Sequence, residues 1–152
     1  MKQRIITLIL IIIWMIFVFY LSNQTAEDSS TLSQGLLKTI LNIFKLDSKT
    51  VIITENIIRK LAHFVLYALG GLLIYTHIKT YNLKDDSKVI LTQIIGTFYA
   101  FTDEFHQVFI PGRSGEIRDV LIDSLGIVTG IFFIVIIDMI REKKKEGNKI
   151  GE

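Results

Sequence analysis

The sequence contains no cysteine, and it has only one proline and one tryptophan among its 152 residues. Without cysteine the chain forms no disulfide and offers no thiolate for catalysis or metal binding. Charged residues are also scarce over long stretches, although they make up 21% of the chain. The formal net charge of +2 gives no indication of a nucleic-acid partner. These absences exclude disulfide scaffolds, thiol enzymes and strongly basic nucleic-acid binders.

The apolar residues are gathered into blocks that fit a membrane better than a soluble core. A helix that crosses the bilayer needs about 20 apolar residues. Residues 5–21, which carry no charge, and residues 120–140, which carry two aspartates, meet this requirement directly. The blocks that begin at 61 and 89 reach it only if polar residues 60–63 and 103–107 lie inside or at the edge of the membrane. The sequence therefore predicts an all-α, four-helix transmembrane bundle.

The predicted bundle is a single integral membrane domain over residues 1–152, since no repeat or composition change marks a second one. Its spans are residues 5–21, 61–78, 89–107 and 120–140. The first span is longer than the apolar region of a signal peptide, and SNQTAE after it offers no small-x-small cleavage site. We therefore interpret residues 5–21 as a retained transmembrane helix.

Lysine and arginine counts predict the orientation of the bundle. Basic residues are concentrated before the first span, between residues 79 and 88, and after residue 140. Short loops rich in Lys and Arg stay on the cytoplasmic side. We therefore expect a multi-pass protein of the cell membrane with both termini in the cytoplasm and the first and third connections outside.

The long first connection predicts an additional amphipathic helix. Its apolar residues recur at helical spacing over residues 31–44, behind the capping candidates Ser29 and Ser30. Such a helix either lies on the outer leaflet or packs over the bundle. A purely structural role, covering apolar surface, is as well supported as a functional one. A further helix is expected to begin near Ser48 and to run into the second span.

Small residues predict where helices pack closely. Gly126 and Gly130 lie four residues apart in the fourth span, and Gly70 and Gly71 lie in the second. Small residues let helices approach where the hydrophobic effect gives no drive for association. We expect this contact to form within one molecule rather than between two copies, and the sequence leaves the oligomeric state open.

The predicted topology brings polar residues from four helices to one layer near the outer surface. The turn PGRSG, residues 111–115, places a guanidinium beside backbone N–H groups, which is a plausible cradle for phosphate or carboxylate. A structural salt-bridge network that closes the bundle is the alternative. The predicted ligand-binding residues are Ser22, Gln24, Lys60, His63, Tyr67, Asp103, Glu104, Gln107, Arg113, Asp119 and Asp123.

Three stretches resemble the VanZ-like family: FYLSNQTAEDSS, RKLAHFVLYALGG and TDEFHQVFIPGRSGEIRDVLIDSLGIVTG. The resemblance implies a small multi-span bacterial membrane protein, of a family named for a member associated with low-level resistance to teicoplanin. Asp123 departs from the pattern, because many members are expected to carry Asn there. The positions that match are Ser22, Gln24, Lys60, His63, Phe64, Tyr67, Asp103, Glu104, Gln107, Pro111, Arg113, Asp119 and Gly126.

Two functions compete. The first is a non-enzymatic envelope factor whose outward-facing pocket binds an anionic lipid headgroup, a lipid-linked wall precursor or the lipid-bearing end of a glycopeptide antibiotic. The second is an intramembrane hydrolase or transferase acting on an envelope lipid, with Glu104 or Asp103 as general base and His63 as its partner. No cofactor motif and no compact metal signature is present, although a metal-assisted form of the second stays open. A transporter or proton relay is a weaker alternative.

Overall fold

A computed structural model describes the backbone of residues 1–45 and 55–150 and the side chains of residues 1–45 and 56–145. Over these residues the chain is helical and contains no strand, which confirms the all-α prediction. The helix expected to begin near Ser48 has its predicted start outside the described residues. The helices are α1 (Lys2–Ser22), α2 (Ala26–Phe44), α3 (Glu55–Ile78), α4 (Asp85–Gln107) and α5 (Ile117–Ile150).

Three of the helices are long and apolar enough to cross a membrane. They are Lys2–Ser22, Asn56–Ile78 and Ile117–Lys145, and they correspond to three of the four predicted spans. Large apolar side chains remain exposed along them, among them Ile16, Val65 and Phe132. A soluble protein would bury such a surface. The chain is therefore a helical membrane protein.

Helix α1 runs antiparallel to α3. Near its middle, the indole N–H of Trp14 donates a hydrogen bond of 2.8 Å to the carbonyl oxygen of Leu66. Near its start, the Thr7 hydroxyl lies 2.8 Å from Nδ1 of His77, at the end of α3. Because the residue numbers rise along one helix as they fall along the other, the start of α1 and the end of α3 lie on the same side of the bundle.

Helix α5, in contrast, runs parallel to α3. Lys60 forms an ion pair with Asp119 where both helices begin, and Lys79 forms one with Asp138 about five turns further on. Two parallel neighbours require the chain between them to return along the bundle. The return path is α4.

Helix α4 runs antiparallel to α5. Gln93 Nε2 donates a hydrogen bond of 2.7 Å to Ser124 Oγ, and Glu104, further along α4, accepts one from the backbone N–H of Glu116, before α5 begins. The Tyr99 hydroxyl donates to the carbonyl oxygen of Met15 at 2.7 Å. These contacts place the end of α4 beside the end of α1 and the start of α5.

The glycine pair of α5 forms the closest helix contact. A Cβ atom at Gly126 would lie 2.5 Å from the carbonyl oxygen of Phe64, and one at Gly130 would collide with the backbone of Ala68. Only glycine lets α5 come this close to α3. The prediction that these glycines pack within the molecule is confirmed.

Helix α2 begins earlier than the sequence pattern indicated. It starts at Ala26, not at Thr31, and its N-cap is Thr25, whose hydroxyl accepts a hydrogen bond of 3.2 Å from the N–H of Asp28. The prediction that Ser29 or Ser30 caps the helix is therefore wrong. A helix start at Thr25 is favoured because acidic residues follow it in the first turn, where they interact favourably with the helix dipole. Helix α2 packs against α3.

Candidate functional site

A buried hydrogen-bond network joins the ends of α1 and α4. The Ser22 hydroxyl donates to Asp103 Oδ2 at 2.8 Å, and the Gln107 amide donates to the Ser22 hydroxyl at 3.1 Å. Asp103 and Gln107 are four residues apart on α4, so both side chains project from the same face of the helix. The side chains of all three residues are almost fully buried. Sequence analysis expected these residues at one level, and the structure brings them into direct contact.

Arg113 reaches this network from the loop between α4 and α5. Its Nη1 donates a hydrogen bond of 3.0 Å to the carbonyl oxygen of Ser22. The loop turns at Gly112, whose φ of 75° is a backbone conformation that glycine adopts without strain. The N–H of Arg113 is already bonded to the carbonyl oxygen of Ile110, so the guanidinium, not this backbone group, is available to a ligand. Burial and the neighbouring Arg59 lower the pKa of Arg113 below its usual range.

A histidine–carboxylate pair lies between α3 and α5. Nδ1 of His63 is 3.6 Å from Oδ2 of Asp123, and the Asp123 side chain is almost completely buried. The ring of His63 stacks on Tyr67, one turn further along α3, at a centroid distance of 6.5 Å. The spacing of His63 and Tyr67 predicted that they share one face of α3. The parallel packing of α5 against α3 places Asp123 beside His63.

Several buried polar atoms at this end of the bundle have no hydrogen-bond partner among the described residues. A buried polar group without a partner costs about 1–3 kcal/mol. In native proteins such groups commonly bind ordered water, an ion or a ligand. The atoms are His63 Nδ1, the Tyr67 hydroxyl oxygen, Asp103 Oδ1, Glu104 Oε2 and both carboxylate oxygens of Asp123.

Lys60 is neutralised by acidic neighbours. Its ammonium group forms an ion pair with Asp119 and lies 3.7 Å from a carboxylate oxygen of Glu116. The predicted point charge for an anionic ligand is therefore already balanced by two carboxylates. This part of the site matches the structural alternative, a salt-bridge network that closes the bundle.

A cavity of about 110 Å³ lies between α1, α2 and α3. Apolar side chains from all three helices form one part of its wall, including Val18, Leu32, Leu36 and Leu66. Polar side chains form the rest. They are Ser22, Gln24, Ser29, Ser33, Arg59, His63, Tyr67 and Arg113.

A second, smaller cavity of about 60 Å³ is lined by the same arginines. Arg59 and Arg113 line both cavities, whereas Gln107 and Asp119 line only the smaller one. Its surface is mainly polar, and it includes the glycine of the turn that carries Arg113. The two arginines therefore line both an amphipathic cavity and a polar one.

Sequence analysis missed Arg59. It followed the face of α3 that carries Lys60, His63 and Tyr67. His63 and Tyr67 of that face do line the cavity, but Lys60 does not. Arg59 and Leu66, at positions i and i+7 on the neighbouring face, line it as well. That spacing was visible in the sequence, but only the position of α2 shows which face encloses space.

Glu104 lies apart from the two cavities. Its Oε1 accepts a hydrogen bond of 2.7 Å from the N–H of Glu116, which fixes the loop before α5. It lines a separate apolar groove between α4 and α5, together with Phe101, Phe105 and Val120. Glu104 thus lines neither of the cavities that His63 and Arg113 line, although the sequence grouped the three residues. Lys60, Asp103 and Asp123 also line neither cavity, although Asp103 and Asp123 contact residues that do.

No group of three or more His, Asp or Glu side chains in the described part of the chain is arranged to hold a metal ion. The acids at this end are divided between different partners. Asp103 bonds to Ser22, Glu104 to the loop, and Asp119 to Lys60. The arrangement is therefore suited to polar binding and to proton exchange at His63.

Comparison with known proteins identifies the family. The model of the VanZ/LLP1 family matches residues 7–138, from the first turns of α1 to the middle of α5. No curated protein and no solved structure is similar enough to this chain to count as a match. The matched region contains every predicted site residue and 132 of the 152 positions. The chain therefore belongs to the VanZ/LLP1 family of membrane proteins.

Proposed function

We propose that this protein binds the anionic headgroup of an envelope amphiphile in the cavity between α1, α2 and α3. One observation carries the proposal: Arg59 and Arg113 stand side by side at the cavity wall, and neither forms an ion pair within the described residues. Lys60, a few ångströms along the same helix, is fully paired. Guanidiniums without a direct ion pair beside an apolar wall suit a ligand that is anionic at one end and hydrocarbon at the other.

The proposal places four helices across the membrane. Since α3 and α5 are parallel, the chain between them has to return over the same distance. Helix α4 has 23 residues and is about 35 Å long, against a hydrocarbon core of about 30 Å. One face of α4 carries apolar side chains that are more than half exposed, as lipid contact requires: Ile90, Ile94, Phe98, Phe101 and Phe105.

In this arrangement both termini are cytoplasmic and the cavity faces outward. The lysines that follow α3 and the basic end of α5 then lie together on the cytoplasmic side, in agreement with the distribution of positive charge. Arg113 and the turn around it lie at the outer surface of the cell membrane. A ligand would enter from the outer leaflet.

The size of the cavity favours a compact headgroup. Pockets that enclose a drug-sized molecule measure about 300–1,000 Å³, whereas this cavity measures about 110 Å³. A lipid-linked wall precursor or a lipoglycopeptide would place only its anionic group and the first part of its chain here. Retention of such a molecule at the outer surface would alter the access of teicoplanin to its target, which is how we connect the binding site to resistance.

An intramembrane hydrolase or transferase is the second candidate. His63 beside the buried Asp123, at the edge of the cavity, is a pair suited to general acid–base catalysis. Asp103, whose carboxylate accepts a hydrogen bond from the cavity residue Ser22, is the better candidate for the general base. Glu104 is less suited because one of its oxygens is bonded to the loop and its side chain lines a different groove.

The binding proposal is tested with purified protein in nanodiscs that contain labelled lipids. We expect retention of an anionic lipid over a zwitterionic one, and loss of this preference in Arg113→Gln. The matched control is Arg118→Gln, because Arg118 is exposed and lines neither cavity. Equal retention of both lipids by the unmodified protein would contradict the proposal.

The same samples test the second candidate. They are incubated with labelled envelope lipids, with and without a chelator, and the products are separated by chromatography. Turnover that disappears in His63→Gln would favour the enzyme, and chelator sensitivity would favour its metal-assisted form. Binding without turnover would leave the first candidate alone.

A further inference from the structure

Among the described residues, each of the two arginines donates one side-chain hydrogen bond. A guanidinium has five N–H donors. Arg113 uses one of them on the carbonyl oxygen of Ser22, and Arg59 uses one on the Asn56 side chain at 3.0 Å. Arginine binds phosphate and carboxylate groups through two parallel N–H donors, a geometry that these forks still offer.

The charge of the pair distinguishes among anionic groups. The two guanidiniums carry two positive charges, and no carboxylate in the described part of the chain lies within ion-pair distance of either. Asp103, Glu104 and Asp119 act on the charge of Arg113 from further away. A phosphate monoester carries about −1.5 to −2 charges at pH 7. A phosphodiester or a carboxylate carries only one. A monoester therefore offers charged oxygens to both guanidiniums, whereas a diester has one charge to divide between them.

Helix α2 provides a path for a hydrocarbon chain. Leu32 and Leu36 line the cavity and are both about half exposed. Ile40 and Phe44 continue the same line at intervals of four residues, and both are exposed. The line from Leu32 to Phe44 is about 18 Å long at 1.5 Å per residue. An apolar stripe thus leads away from the cavity along the outer surface of the helix.

From these observations we infer that the ligand is a phosphomonoester lipid, with its phosphate between Arg59 and Arg113 and its hydrocarbon chain along the Leu32–Phe44 stripe of α2. Phosphatidic acid and polyprenyl monophosphates belong to this class. The inference rests on the proposed function, namely that the cavity binds an anionic amphiphile, and it adds the chemical class of the headgroup.

The test measures binding by native mass spectrometry of the full chain with four probes. They are phosphatidic acid and a polyprenyl monophosphate as monoester lipids, phosphatidylglycerol as a phosphodiester, and glycerol 3-phosphate as a soluble monoester. We expect both monoester lipids to bind at least tenfold more tightly than phosphatidylglycerol, because a charged hydrogen bond that is lost or gained changes affinity by about this factor or more. Glycerol 3-phosphate should bind more weakly than either lipid, because it has no chain for the stripe.

Variants assign the effect to the two arginines. Arg59→Gln and Arg113→Gln should each lower the affinity for the monoester lipids by about tenfold or more, whereas the control Arg118→Gln should not. Leu36→Ser should weaken the lipids but not glycerol 3-phosphate. Circular dichroism and thermal unfolding in detergent establish that each variant folds. If Arg113→Gln does not fold, Arg59→Gln alone tests the inference.

The outcomes separate the inference from the proposed function. Equal affinity for phosphatidic acid and phosphatidylglycerol, both lost in the arginine variants, would overturn the monoester class and leave the anionic site in place. Glycerol 3-phosphate bound as tightly as the lipids would overturn the role of α2. Absence of any binding that depends on Arg59 or Arg113 would overturn both the inference and the proposed function.

Discussion

At the scale of the residue, the decisive feature is what each charged side chain contacts. Lys60 and Arg59 are adjacent in the sequence, yet Lys60 faces two carboxylates and Arg59 faces a cavity. The hundred-degree turn between successive helix positions produces this difference. A sequence motif that contains both residues does not show which one meets a ligand.

Asp123 illustrates the same point for a buried acid. Sequence analysis expected many members of the family to carry Asn at this position. The structure supplies His63 at 3.6 Å. Asparagine, expected at this position in many members, would keep a polar contact with the imidazole but would remove the charge. Asp123 thus gives His63 an acidic partner in this chain.

Substitution of one glycine tests the packing of α5 on α3. Gly130→Ala should lower the stability by about 1–3 kcal/mol, because its Cβ would collide with the backbone of Ala68 and the helices would have to separate. Thermal unfolding in detergent measures the change. The control is Gly35→Ala in α2, where nothing lies within 4 Å of the added atom and alanine favours the helix. Equal melting temperatures for the two variants would contradict the close contact.

At the scale of the element, α2 is a helix whose start the sequence pattern did not predict. Its apolar periodicity gave the correct end, Phe44, but not the correct start. The periodic pattern identifies the part of a helix that faces an apolar surface, whereas the first turn is held by its cap. Residues 26–30 contain no apolar stripe, so the pattern did not include them.

The N-cap of α2 provides a prediction for this element. Thr25→Ala removes the hydroxyl that accepts from the N–H of Asp28 and donates to its carboxylate at 2.7 Å. We expect a loss of about 1 kcal/mol of local stability, seen as faster amide hydrogen exchange in the first turn of α2. Thr25→Ser should retain most of the protection. If the inference about the lipid chain holds, Thr25→Ala also weakens lipid binding, because the stripe on α2 becomes less ordered.

At the scale of the whole molecule, the parallel arrangement of α3 and α5 organises the bundle. It places the start of α3, the start of α5 and the ends of α1 and α4 on one side, and so it gathers polar residues from four helices. The connection before α5 then has to lie at the same end as the cavity. The proposed outward orientation follows from this arrangement together with the distribution of lysine and arginine.

Cysteine labelling tests the orientation, and the absence of native cysteine makes the experiment simple. Ser114 is exposed in the loop before α5, and Ser87 is exposed in the first turn of α4. In intact cells a membrane-impermeant maleimide should label Ser114→Cys and should not label Ser87→Cys until the membrane is opened. Labelling of both from outside would show that α4 does not cross the membrane. Labelling of Ser87→Cys alone would show that the bundle has the opposite orientation.

The sequence by itself determined the class of this protein, because apolar runs of membrane length with few or no charges leave few other folds open. It also determined which residues lie at one end of the bundle, since helix order and span length fix their level. Tertiary structure decided how those residues pair. Whether Arg59 or Lys60 faces open space, and whether Glu104 shares a cavity with His63, depends on the rotation of each helix about its axis. That rotation is set by glycine contacts and by the position of α2, which no single segment of sequence contains.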